Sequence, residues 1–481
     1  MSEDFIIEKG PFEPTLESLR KFECPNWFRD AKLGIWAHWG PQSVPMHGDW
    51  YARRIYEEGS DQYRYHWRIY GHPSKFGYKD IVKLWKAEKF DPEALMDLYV
   101  SAGAKYFVAQ AVHHDNFDNW DSRHNRWNAV KVGPKKNIVR MWEEAARKRG
   151  LPFGVSEHLG ATFSWFSVNK GADKTGPYAG VPYDGNDPEF EDFYLPNLDE
   201  YRSEKRPWYT ENPWWHKRWF DRIKDLIDQH KPDLLYSDGG IPFGKAGLSI
   251  IAHLYNTSAK LHGGISQAVY TQKDRNPEVF TVGVLDIERG MEQEIFPYPW
   301  QTDTCVGHWF YNVHAVYKTP KQVIEMLVDI VSKNGNLLLN FPQKPDGTLD
   351  DECVYILKCM ADWVKVNGEG IYGTRPWKVA GEGPTSGEAG AFKEKELQWT
   401  PEDFRFTSKE DKVYAFQMKW PEDGKALIKS FSLDKAPRVN RVKLLGFDGD
   451  IKFEQGNYGL FIELPEHKTC EYAHCFRLEL A

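Results

Sequence analysis

The sequence predicts an α/β fold: a (β/α)₈-like TIM barrel over residues 1–380, followed by a C-terminal β-sandwich over 381–481. Three observations carry this expectation. From Leu33 to Pro342, apolar runs of strand length alternate with segments of helical period. Polar and titratable residues collect just after those apolar runs, where a parallel barrel keeps its loops and its chemistry. Past about 380 the helices stop and short strand-like runs follow one another, as in a sandwich. Alternation alone would also suit a doubly wound sheet. The boundary is set by residues 381–390, which are loaded with Gly, Pro, Ser and Thr.

Residues 1–26 form a polar leading segment. Leu33 to Gly40 reads as the first strand, with His38 near its end and Gly40-Pro41 stopping it. The loop behind it carries His47-Gly48-Asp49-Trp50-Tyr51 and is too aromatic to be disordered. Asp91 caps a helix, Pro92 takes its first turn, and Leu95, Leu98 and Tyr99 recur at helical spacing until Gly103. The second strand, Ala104 to Val112, closes in His113-His114-Asp115. A helix from Asn137 to Arg149 precedes a third strand, Leu151 to Val155, which ends near Ser156-Glu157-His158.

A helix from Trp215 to His230 leads into Leu234-Leu235-Tyr236-Ser237-Asp238-Gly239-Gly240. A continuous apolar run is what a strand buried on both faces requires, and the glycines after it allow a sharp turn and close approach of a ligand. Taken alone, Asp238 reads slightly better as the cap of the next helix or of a turn; the rest of the chain reverses that. Then come a helix over 246–258, a strand over 261–266, and a strand from Val279 to Leu285 that ends in Asp286-Ile287-Glu288-Arg289-Gly290. Trp300 to Cys305 is the seventh strand, Gln322 to Ser332 a helix, and Asn336 to Pro342 the eighth strand. The sandwich runs are Lys412 to Met418, Lys425 to Ser430, Arg438 to Leu445, Leu460 to Leu464 and Ala473 to Leu480.

Composition narrows the partners. The 62 Lys and Arg nearly balance the 70 Asp and Glu, and no basic run occurs, so nucleic acid and anionic membrane are not expected. The 20 tryptophans suit stacking on sugar rings and serve equally as core filler. Six cysteines without a CxxC pair predict free thiols, and Cys470, His474 and Cys475 read as strand residues rather than a zinc site. The segment Met1 to Lys9 has neither a basic n-region nor an apolar h-region, and no apolar run is long enough to span a bilayer; cytoplasm is the expected compartment.

The predicted strand ends gather His38, His113, His114, His158, Asp238 and Glu288. Paired carboxylates with histidines and aromatics suit glycoside hydrolysis. A histidine cluster with an acid suits zinc-activated water instead. A Ser-His-Asp hydrolase is the weakest reading, since no G-x-S-x-G elbow is present. Zinc is disfavoured because adjacent strand residues point to opposite faces, so His113 and His114 could both ligate only if the chain had already turned into loop. No H-x-H or H-E-x-x-H replaces them.

Longer motifs add to this. Trp27 to Val44 with its Ala37-His38-Trp39-Gly40 centre, Gly48-Asp49-Trp50-Tyr51, His113-His114-Asp115-Asn116-Phe117, the strand ending at Asp238, Trp300-Gln301-Thr302-Asp303-Thr304, and Lys333 to Pro342 occur in this order. Together they resemble the α-L-fucosidases of glycoside hydrolase family 29. The resemblance implies the barrel and sandwich read above, a retaining double displacement without cofactor or metal, and a fucosylated oligosaccharide or glycoside as substrate. A homo-oligomer is also implied. Asp238 falls at the family's nucleophile, and His38, His113 and His114 match its histidines for fucose hydroxyls. Asp49-Trp50 matches its usual Glu-Trp, and Trp309 its aromatic facing the sugar's methyl group. Tyr236 and His158 complete the implied substrate-binding set, with His158 standing in where the family's pattern after the third strand differs. Glu288 resembles the acid/base of part of the family, with Glu292 and Glu294 as runners-up. Gln301 stands where other members carry a Glu and cannot transfer a proton. Asn116 stands where the family commonly has Gly. A glycosidase for a galactose-configured sugar, which shares the ring hydroxyl pattern, is the alternative, along with a non-catalytic carbohydrate-binding barrel.

Overall fold

The computed structural model describes residues 5–196 and 207–481; residues 1–4, part of the segment read for an export leader, lie outside it. Eight parallel strands close into a barrel in chain order. They are β1 (Leu33–Ala37), β2 (Tyr106–Val112), β3 (Phe153–Glu157), β4 (Leu234–Ser237), β5 (Val269–Gln272), β6 (Val284–Asp286), β7 (Trp300–Cys305) and β8 (Gly335–Asn340). β8 returns to β1 with Leu339 opposite Ile35, which shuts the barrel. Every residue of β1, β2, β4 and β8 is buried, because one face meets the helices and the other the barrel interior.

Two expected strands were displaced. Leu261 to Ser266 is not a strand: the helix Lys245–Leu261 runs on to its own end, and Gly263 and Gly264, both at positive φ, turn the chain toward β5 at Val269–Gln272. Val279 is likewise helical, within the turn Pro277–Phe280, where Pro277 takes the first position and the Asn276 side chain accepts from the Glu278 amide. Only Val284 and Leu285 of that apolar run remain in β6, which Asp286 completes.

The C-terminal region is a five-stranded antiparallel sheet facing a three-stranded one. Its strands are β9 (Arg375–Glu382), β10 (Phe404–Lys409), β11 (Lys412–Gln417), β12 (Lys425–Ile428), β13 (Val439–Leu444), β14 (Phe453–Gly456), β15 (Gly459–Glu463) and β16 (His474–Leu480). Sequence reading missed β9, β10 and β14, and β9 spans position 380. Phe404, Phe406, Ile428, Phe431, Leu460 and Phe476 form the core between the sheets. The sheet docks on the barrel helix Pro320–Ser332, where buried Asp329 takes Arg405 Nε at 2.6 Å and Lys333 Nζ at 2.7 Å. All six cysteines are free thiols, and Cys470 lies just outside β16. No helix among the described residues is long and apolar enough to cross a membrane.

Candidate active site

β4 delivers the central carboxylate. The Asp238 amide donates to the Glu157 carbonyl at 3.1 Å, and Ser237 Oγ donates to Glu157 Oε1 at 2.7 Å, so the end of β4 is pinned to the end of β3. Glu157 Oε2 also accepts from the Leu159 amide at 2.9 Å and Trp219 Nε1 at 3.1 Å. This buried acid is therefore a staple rather than a site group. Gly239 follows at φ +107, and a Cβ there would meet the Tyr209 hydroxyl, which donates to the carbonyls of Asp238 and Gly240.

Three cationic or imidazole groups converge on Asp238. Lys273 Nζ donates to Oδ1 at 2.8 Å, while His114 Nε2 and His158 Nδ1 stand 3.2 and 3.4 Å from Oδ2. Burial pushes this carboxyl up, but Lys273 and the two imidazoles outweigh it and hold Asp238 well below the usual carboxylate range. Lys273 also reaches Glu288 Oε2 at 2.5 Å and stands 3.7 Å from Asp303 Oδ2. One positive charge among three carboxylates cannot neutralise all of them. Burial lifts Glu288 to about 7; Lys273 pulls it down, and Asp303 and Asp238 push it up. Two carboxyls on one lysine thus have opposite proton affinities.

The histidines are held ring by ring. β2 ends at Val112, so the chain has already turned at His113 and His114, and both side chains line the cleft. The condition under which both could face one site is therefore met. The His158 carbonyl accepts from His114 Nδ1 at 2.6 Å. Gln42 Oε1 accepts from the Ala52 amide at 3.2 Å, which aims Gln42 Nε2 at His113 Nδ1 at 2.8 Å and leaves the His113 proton on Nε2. The His38 ring packs edge-on against His113 and His158 with centroids 5.1 and 5.3 Å apart. Burial keeps His38, His113 and His158 below the ordinary imidazole range, so each neutral ring offers one donor and one acceptor. Nitrogens of His38, His113 and His158, and of His114 and His158 with an Asp238 oxygen, lie within 4.8 Å of one another, close enough to share a cation. The same spacing suits the adjacent hydroxyls of a sugar.

Aromatic and polar walls complete the cleft. Asp49 Oδ1 accepts from the Phe310 amide at 2.8 Å, and Trp50 stands beside it at φ +59. The Arg289 guanidinium stands over the Trp309 ring and Trp36 packs edge-on to it, and Tyr236 turns its hydroxyl to Asp303 Oδ2 at 3.0 Å. Beneath them, Gln301 donates to Asp286 Oδ2 at 2.5 Å and accepts from Tyr106 at 2.8 Å, inside the barrel and away from the cleft.

All ten residues expected at the site, namely Asp238, Glu288, His38, Asp49, Trp50, His113, His114, His158, Tyr236 and Trp309, line one open cleft of about 410 Å³. Glu292 is paired with Arg275 at 2.6 Å, Glu294 is exposed, and neither lines it. Asn116 takes φ +64, a left-handed conformation that Asn tolerates almost as Gly does, and its amide is tied to the Phe193 carbonyl. Sequence reasoning missed Lys273, Asp303, Trp208 and Phe392. Lys273 had a signal: it directly follows β5, which lies later in the chain than the strand expected over 261–266.

Comparison with known proteins agrees with this geometry. A sequence model described as Alpha-L-fucosidase matches residues 2–369, and one described as Alpha-L-fucosidase C-terminal domain matches 398–479. The tissue α-L-fucosidase of Rattus norvegicus is 29% identical, covering 95% of this chain and 89% of its own length. The plasma α-L-fucosidase of Homo sapiens is 30% identical with the same coverage. Among solved structures, Thermotoga maritima α-fucosidase in complex with fucose superposes with a TM-score of 0.75 at 26% identity, covering 97% of this chain and 100% of that one.

Proposed function

The chain belongs to the α-L-fucosidase family and is a glycoside hydrolase, and we propose that it is a retaining, exo-acting α-L-fucosidase with Asp238 as nucleophile and Glu288 as acid/base. The observation that carries this reading is the pair of carboxyls around Lys273. Asp238 Oδ1 and Glu288 Oε2 lie 2.8 and 2.5 Å from the same nitrogen, so those two lengths together set their separation at no more than 5.3 Å. A retaining site needs about 5–5.5 Å, whereas an inverting one leaves room for a water at about 6.5–9.5 Å.

Fucose enters with its hydroxyls toward His38, His113, His114 and His158: His113, its Nδ1 taken by Gln42, donates through Nε2, and the neutral rings of His38 and His158 can donate or accept. The Asp238 carboxylate, kept ionised by Lys273, attacks the anomeric carbon while protonated Glu288 gives its proton to the leaving oxygen. The ester then removes one negative charge from beside Glu288. Its proton affinity falls, and the same carboxylate takes a proton from the water that releases fucose. A galactose-configured sugar differs mainly at C6, so the wall carrying Trp309 is where the two are told apart.

Product stereochemistry tests the mechanism. With an aryl α-L-fucoside followed by proton NMR from the first turnover, α-L-fucose appears before its β anomer. Initial β-fucose would overturn the double displacement, and faster release from the matching α-L-galactoside would overturn fucose as the sugar.

A further inference from the structure

Three aromatic side chains stand unburied around the mouth: Trp50 at 36% exposure, Trp208 at 42% and Phe392 at 68%. Phe392 comes from none of the barrel loops. It sits on the segment joining β9 to β10, which doubles back to the barrel: Gly390, Phe392 and Glu394 donate their amides to the carbonyls of Met291, Glu288 and Arg289 at 2.9, 2.8 and 2.9 Å. The segment is thus laced to the loop that carries Glu288, the group proposed to protonate the leaving oxygen.

Backbone strain marks two of these residues. Phe392 takes φ +57 and Trp50 φ +59, a left-handed conformation unfavourable to any residue with a Cβ and rare for bulky ones. Such outliers persist where the surroundings over-determine them, and they cluster at ligand clamps. Strain that buried an aromatic ring would be repaid by packing. Here it leaves the Phe392 ring mostly in water, and Trp50 partly exposed with Trp165 behind it, beside a polar cleft.

We infer that Phe392, with Trp50 and Trp208, forms a stacking platform for the sugar ring of the leaving group, so that the substrate is a glycan in which fucose is joined to a neutral pyranose. The inference rests on the fucosidase reading and deepens it. A pyranose offers an apolar face of C–H groups to an aromatic ring, while its edge hydroxyls remain in water at an open mouth.

The test separates ring contact from any effect on Glu288. Methyl α-L-fucoside and a fucosyl-galactose disaccharide both have poor leaving groups that need a proton, but only the second carries a leaving ring. In Phe392→Ala, the ratio of kcat/KM for the disaccharide to that for the methyl fucoside falls roughly fivefold or more, the scale of one lost aromatic contact. Phe392→Tyr keeps the wild-type ratio, and Phe392→Gly, which suits the positive φ, repeats the loss. An unchanged ratio in both Phe392→Ala and Phe392→Gly overturns the platform. An equal fall on both substrates overturns it too, assigning Phe392 to holding the Glu288 loop. Wild-type protein inert on every fucoside would overturn the fucosidase reading itself, a result distinct from these.

Discussion

The barrel mouth and the sandwich core are built on opposite rules. Between the two C-terminal sheets, Phe404, Phe406, Ile428, Leu460 and Phe476 fill the interior, and the gain is removal of apolar surface from water. Within and above the barrel, Lys273, Asp238, Glu288, Asp286 and Asp303 are crowded into a few ångströms, with Gln301 and Tyr106 bonded below. Burying ionisable groups so close together costs stability unless every charge is paired. The difference teaches where each kind of free energy goes. The sandwich holds its part of the molecule together, and the mouth holds groups at proton affinities that water would not allow.

Substitutions can sharpen that contrast, and the largest effect is expected at Asp238. Asp238→Gly folds with a melting temperature close to wild type but loses at least about a thousandfold in turnover, because no other group can form the ester. Added azide restores part of the rate with an activated fucoside. Retention of more than about a tenth of wild-type turnover would move the nucleophile elsewhere.

Next in size is Glu288→Ala. On substrates with poor leaving groups the loss is about 10²–10⁴-fold, the usual worth of a general acid, and it is much smaller on nitrophenyl fucoside. The sign of the pH dependence follows from its carboxyl lying at about 7. The acid form works, so the wild-type rate falls as pH rises through that value, and the variant lacks this alkaline limb. Equal losses across leaving groups with the limb intact would remove Glu288 from the role.

The smallest effect on turnover comes from the other region. Phe406 is fully buried and packs edge-on to Trp377 at 5.3 Å. Phe406→Ala lowers stability by about 3–5 kcal/mol in denaturant titration, while kcat of the folded protein stays within about twofold of wild type. A large change in kcat would mean that the two regions are not separable in this way.

The sequence by itself determined the alternation of strands and helices, because a strand buried on both faces must be an unbroken apolar run. It also marked the histidines and two of the carboxylates of the site, because such a run in a parallel barrel ends at the mouth. His113 and His114 were legible as a pair for this reason, and Asp238 as the residue beside a glycine turn. Local pattern failed where two short signals competed: at 261–266 a helix end with two glycines imitated a strand, and the error hid Lys273. Asn116 was visible only as an oddity until its positive φ explained it. Other features no local reading could supply. The shared ammonium between Asp238 and Glu288, the raised proton affinity of one and the lowered affinity of the other depend on distances between separate strands. Phe392 reaches the mouth only because its segment folds back from the sandwich onto the Glu288 loop. Electrostatic coupling and stacking act through space, so the order of residues along the chain does not contain them until the barrel closes.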